Sequence, residues 1–317
     1  MIRRFQFGCL IVATLVVTTG CVTHQSATHI KVFTTATTEL ADQAIASYDL
    51  VNQSMIDRRI SRIASYSDEK LREADTSVFL IKDLYSSDPA DDFYKSSQCI
   101  QALIALKDYA AALGDLAGAD YAADIDKNAT KLYGSLTLLS RSYEGATGEN
   151  LGIGDRELGI IASLIDGIGK IIAENKRREA IKGIVIETDP FVSKACDAIK
   201  THIGDNFDYM GSNLYQTFTS AIKGYKEEVL EGRLVDSEQK IARLNRVVEA
   251  GREFKKAETM SENIKTAVEK VRKAHATLRK TVEKDLFTSG DLVRDIGDLA
   301  EFTEKMKDFY QGLLNND

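Results

Sequence analysis

Four histidines, four cysteines and 48 acidic residues are the side chains from which this 317-residue sequence could build a metal site or a proton-transfer site. The histidines are His24, His29, His202 and His275, and no HExxH, CxxC or GxSxG motif or zinc-spaced Cys/His set surrounds them. Asp124-Ile125-Asp126-Lys127-Asn128 begins like a calcium loop. Such a loop needs glycine at its sixth place, for the sharp turn, and a bidentate glutamate at its twelfth. Ala129 and Ser135 stand there instead. Asp115, Asp120 and Asp124 leave scattered divalent-ion binding as a lesser alternative. Gly152, Gly154 and Gly159 in "GIGDRELG" have phosphate-loop flavour, but a dinucleotide fingerprint needs GxGxxG after a strand, and this is GxGxxxxG after a loop. A flexible corner is expected there. The spacing therefore predicts no cofactor, no metal and no enzymatic activity.

The cysteines carry more. Arg3 and Arg4 precede an apolar run from Phe7 to Val17, and small residues follow at Thr18, Thr19 and Gly20. Charged start, short apolar run and small-residue end form the pattern of a secretory signal peptide, too short for a spanning helix, which needs ~20 apolar residues. Cys21 follows Gly20 directly, and Thr19-Gly20-Cys21 resembles the lipobox of bacterial lipoproteins, with Thr18 where that family usually carries an aliphatic residue. The resemblance covers residues 1–21. It implies cleavage before Cys21, lipidation of its thiol, and anchoring by acyl chains, each buried CH₂ contributing ~0.8 kcal/mol. Val22, which is not aspartate, points within that class to the outer membrane, facing the periplasm.

Cys9 leaves with the signal peptide, so Cys99 and Cys196 remain in what the resemblance implies is an oxidising compartment. Each lies on an apolar helical stripe, Cys99 with Leu103, Leu106 and Ala110, and Cys196 with Val192, Ile199 and Ile203. A disulfide between them would stabilise by ~4–5 kcal/mol in the chain-entropy view. Two buried thiols acting as small hydrophobes are the alternative.

Only Pro89 and Pro190 interrupt a chain rich in helix formers, and the net charge is −7. The composition predicts an all-α fold: an elongated bundle of about seven or eight helices, several long. The acidic balance argues against nucleic acid as a partner and against an electrostatic hold on anionic lipid. Three parts are expected: a signal peptide over 1–20, the lipidated cysteine with a Thr/Ser-rich tether over 21–38, and one helical domain over 39–317. Asp88-Pro89 and Thr188-Asp189-Pro190 read as helix starts. Over about 236–284, positions 257, 261, 264, 268, 271, 275, 278 and 282 alternate steps of four and three, a coiled-coil-like seam. His275 sits on that seam between Val271 and Leu278, where a neutral imidazole with one partner is expected and a pH-sensitive packing switch is the sharper alternative.

The most apolar stretch lies within 151–173, where Gly159, Ile160, Ile161, Leu164 and Ile168 are candidates for membrane or partner contact. Glycine inside a helix costs ~1 kcal/mol against alanine, so either close helix packing or a mobile apolar segment exploits the missing side chain. The function expected is a non-enzymatic, outer-membrane-anchored periplasmic lipoprotein that binds an envelope protein as scaffold, accessory subunit or inhibitor. A membrane-acting protein, pore-forming or remodelling, using 151–173 is the alternative.

Overall fold

The computed structural model describes residues 22–64, 66–75, 84–91, 93–118, 122–169, 174–284 and 290–314. Among them are eight helices and no strand: α1 (Val22–Ala64), α2 (Asp68–Glu73), α3 (Tyr94–Gly118), α4 (Ala122–Thr147), α5 (Asp155–Gly169), α6 (Glu174–Leu230), α7 (Ser237–Glu283) and α8 (Gly290–Leu314). The seam on α7 organises them. Ala257, Ser261, Ile264, Val268, Val271, His275, Leu278 and Val282 are all buried, as the four-three spacing requires of one helix face. They pack chiefly against α6, while α1, α3 and α8 close the remaining sides of the core and α4 and α5 flank α3 and α6.

Polar contacts set the register of the outer helices. Asp295 of α8 is buried against α7, accepting from Thr277 (2.8 Å) and Lys273 Nζ (2.9 Å). On α1, Ser47 meets the hydroxyl of Tyr310, and Thr303 donates to the Ala36 carbonyl at 3.4 Å. Phe33 of α1 lies beside His275, and Ser54 donates to Glu253. The two pairs keep a nearly constant sum of residue numbers, so α1 and α7 run antiparallel.

Three expectations are corrected. The segment read as a tether is the first part of α1: Ile30, Phe33, Thr37, Leu40, Ala44, Ser47 and Val51 are buried at three- and four-residue steps. One of its threonines ties it to the bundle: Thr34 donates to the Ala110 carbonyl of α3 at 3.0 Å. Asp88-Pro89 does not start a helix. Asp88 accepts from Ala90 N (3.0 Å) and Asp91 from Phe93 N (2.9 Å), forming successive Asx turns, and α3 begins only at Tyr94. Pro190 does not start one either, for α6 runs straight through it. The ring is exposed, so the carbonyl of Ile186, which loses its helical donor, lies on the side where water reaches it.

Helices α1 and α3 approach closely at Gly114, where an added Cβ would sit 2.7 Å from Thr34 Cγ2 and Oγ1. Gly114→Ala is expected to destabilise by about 1–3 kcal/mol through overpacking. Gly134→Ala, on the open face of α4 with nothing within 4 Å, is expected to stabilise by about 0.5–1 kcal/mol. Urea unfolding midpoints of the two variants should move in opposite directions.

Candidate functional site

The most chemically structured part of the interior is a polar chain buried where α1, α3, α6 and α7 meet. Seam geometry aims His275 of α7 inward, and the turn of α6 just before Pro190 presents Thr188 and Asp189 to it. Tyr109 arrives from the apolar face of α3. Tyr109, Thr188 and His275 are fully buried and Asp189 nearly so. His275 Nδ1 lies 2.9 Å from Asp189 Oδ1, and His275 Nε2 lies 2.8 Å from the Tyr109 hydroxyl. That hydroxyl is 2.7 Å from Thr188 Oγ1, which donates to the Ile184 carbonyl at 2.7 Å. Arg279 approaches the second Asp189 oxygen at 3.6 Å. Burial pushes the Asp189 carboxyl up, but the hydrogen bond and charge of His275, joined by Arg279, hold it below the usual carboxylate range. Burial raises the Tyr109 phenol well above its usual value.

A carboxylate orienting an imidazole that faces a hydroxyl is acid–base geometry. The Tyr109–His275 contact is buried on every side. A cavity among the described residues lies elsewhere. A groove of about 560 Å³ between α1, α6 and α7 is floored by Val51, Met55, Leu214, Ala257 and Met260 and contains no member of the polar chain. Among the described residues no three His, Cys, Asp or Glu side chains are placed to hold a metal ion.

Beyond that groove α6 and α7 continue as a hairpin. Its helices are tied by the Arg243–Glu228 pair at 2.8 Å and by Tyr215, whose ring lies tilted against that of Phe254 with centroids 5.6 Å apart. Its turn needs Gly232, whose φ is +70°. The hairpin carries large apolar side chains in water: Leu230 is 85% exposed, Val235 80%, Ile241 57%, Val248 48% and Leu244 40%. Ile241, Leu244 and Val248 share one face of α7, turned away from its buried seam.

The residues singled out in the sequence fall in different places. Cys21 lies outside the described residues. Cys99 and Cys196 are both buried and both free, the second of the two alternatives open to them. Each serves as a small apolar side chain on its own helix, and burial, then the charge of Asp205, pushes Cys99 up to about 12. Burial, then the charge of Asp197, also raises Cys196.

On α5, Ile161 is buried in the core, Ile160 is half-buried, and Leu164 packs onto α6 at Gly183, whose added Cβ would meet Leu164 Cδ1 at 2.9 Å. Gly159 is exposed with nothing within 4 Å of the place of a Cβ, so close packing is needed at Gly183 and not at Gly159. The Ile168 side chain lies outside the described ones. No helix among the described residues is long and apolar enough to cross a membrane. Two amides of the glycine loop are satisfied locally: Gly152 N donates to Asn150 (2.6 Å), and Gly154 N donates to Glu157 (3.0 Å), as in the glutamate half of a capping box, which takes the donor an anion would need.

No protein-family model, curated protein or solved structure matches the chain.

Two predictions come from these contacts. In a mature Cys21→Ser protein, reduced and non-reduced samples should migrate alike, and a thiol reagent should modify Cys99 and Cys196 only after unfolding. Second, because the Asp189 carboxyl is depressed in the folded chain, its contribution is complete above the ordinary carboxylate range and fades as pH falls through the folded value. Asp189→Asn should therefore lower stability by about 2–3 kcal/mol at neutral pH. That is below the ~3–5 kcal/mol of fully enclosed pairs, because Arg279 keeps one edge wet. The gap from wild type should close in strong acid, as followed by denaturant midpoints.

Proposed function

We propose that this chain is a non-enzymatic lipoprotein of the cell envelope, anchored by Cys21 in the outer membrane and facing the periplasm. Its distal α6–α7 hairpin engages a protein partner. The observation that carries the reading is the exposed apolar face of that hairpin, since soluble surfaces seldom hold so many large apolar side chains on one short element without a use. Its spacing of Ile241, Leu244 and Val248 suits an amphipathic helix or a helical groove on the partner.

Direction adds support. At ~1.5 Å per residue, and with α1 and α7 antiparallel, the hairpin turn stands about 75 Å from the N-terminus of α1. An anchor at Cys21, one residue before α1, then holds the apolar face far from the bilayer, where a periplasmic protein rather than lipid meets it. The burial of the polar chain supports the non-enzymatic reading. The packing of Leu158, Ile161 and Leu164 into the bundle supports a structural role for 151–173 over a membrane-acting one.

A photo-cross-linking amino acid at Leu244, with one at exposed Lys131 as control, tests this in intact cells. A single protein adduct at 244, absent at 131 and lost in Val248→Glu, is expected; adducts only to lipid, or none, would overturn the reading. Independently, Cys21→Ser should move the protein from the detergent phase to the soluble fraction.

A further inference from the structure

The buried chain from Thr188 to Asp189 leaves little freedom in where its protons lie. The Ile184 carbonyl can only accept, so at 2.7 Å the Thr188 hydroxyl proton points to it. With that proton committed, the 2.7 Å contact between Thr188 and Tyr109 is a bond only if the Tyr109 hydroxyl donates. The Tyr109 oxygen then has no proton left for His275 Nε2 at 2.8 Å, so Nε2 must carry one. On the far side of the ring, Nδ1 faces a carboxylate oxygen at 2.9 Å and must donate as well. Any arrangement with a neutral imidazole that donates to Asp189 sets two lone pairs against each other at 2.7–2.8 Å, or takes the Thr188 proton from Ile184.

We infer that His275 holds a buried proton against Asp189, and that loss of this one proton reverses the hydroxyl chain and releases a latch on α6 beside Pro190. When the proton leaves Nε2 for solvent, the Tyr109 hydroxyl turns to donate to the ring. The Thr188 hydroxyl then turns to Tyr109, and Ile184 loses its second donor. A threonine bonded back to the carbonyl four residues earlier bends a helix, and Pro190 has already removed the donor of Ile186. Residues 184–190 are thus a soft turn of α6, and the latch sets its bend. The part of α6 beyond Pro190 is about 60 Å long, so each degree of bend moves the hairpin turn by about 1 Å.

The groups around the imidazole fit a single ionisation. Asp189 is its counter-charge from α6, and Arg279 of α7 fixes the other carboxylate oxygen. Tyr109 of α3 and Phe33 of α1 supply ring contacts, and the Cys196 thiol of α6 lies in the field of Asp189. The device operates whatever the hairpin binds.

Nitrogen NMR of histidine-labelled protein through a pH titration tests it, with the His275 signals identified by their loss in His275→Gln. Two nitrogen-bound protons on His275 are expected, one of them lost as pH rises. In the same step, amide exchange over residues 184–190 should accelerate and the distance between spin labels at Arg233 and Lys131 should change. A single nitrogen-bound proton at every pH where the protein is folded would overturn the inference, as would proton loss that leaves residues 184–190 unaltered. Thr188→Val keeps the volume and removes the acceptor of the Tyr109 proton, freeing that hydroxyl for Nε2. The midpoint of the His275 step should then move to lower pH, by about tenfold in proton concentration, and Thr188→Ser should restore it. An unmoved midpoint in Thr188→Val would show that the hydroxyls do not carry the coupling.

Discussion

One imidazole in a mostly aliphatic seam constrains the whole bundle. Burying the α7 face is favourable wherever it finds apolar partners, and a seam of Ala, Ile, Val and Leu would tolerate sliding by a turn. His275 removes that tolerance. Its two ring nitrogens need partners at hydrogen-bond distance, and only one register of α3 and α6 brings Tyr109 and Asp189 there together. Leaving either nitrogen unsatisfied costs ~1–3 kcal/mol, a large share of a domain's net stability. The α1 register follows, since Phe33 packs edge-on against the same ring.

The two halves of α7 show what happens when that constraint stops. From Ala257 onward the seam is closed on every side by other helices. Toward the hairpin turn the same four-three spacing continues through Phe254, Ala250, Val247, Arg243 and Lys240, facing α6, with α1 alongside only at the root, where Ser54 donates to Glu253. The seam turns polar at its tip, where Arg243 pairs with Glu228, while Ile241, Leu244 and Val248 stand exposed on another face. A two-helix arm that leaves large apolar side chains outside its own seam is not self-sufficient as a coiled coil. That surplus is why the arm, and not the better-packed body, carries the functional reading.

The same logic explains which elements were legible in the sequence. The α7 seam could be read because its period is uninterrupted and its buried residues are mostly aliphatic. The first turns of α1 could not, because Thr37 occupies a core position where a pattern search expects Leu or Ile; with it included, the period from Ile30 and Phe33 joins that of Leu40, Ala44 and Val51. Thr188-Asp189-Pro190 carries the local chemistry of a helix start, and only a long-range fact, the arrival of His275 from α7 and Tyr109 from α3, converts the two polar residues into core partners inside a continuous helix. His275 stood out as a lone polar residue on an apolar stripe, but its second partner and the acidic one were out of reach. Tyr109 looked like any aromatic core residue. The cysteines were placed correctly on buried faces; two buried faces need not be the same site, and here each thiol serves its own helix.

Replacing a tether by a helix also changes what an anchor at Cys21 would do. A flexible segment of that length would let the body wander through a range of heights and orientations, with the exposed apolar face at a low effective concentration anywhere. A helix that begins at Val22 and runs unbroken for 43 residues into the root of the hairpin leaves no such slack. Lipid attachment at its first turn would restrict the hairpin turn to a narrow band of heights, set by α1 and the α7 overhang. A bend at Pro190 would then be the main remaining means of moving that apolar face, with small angular changes read out as displacements of several ångströms. Rigid mounting and a single soft turn are complementary: the first makes the position of the face definite, and the second makes it adjustable.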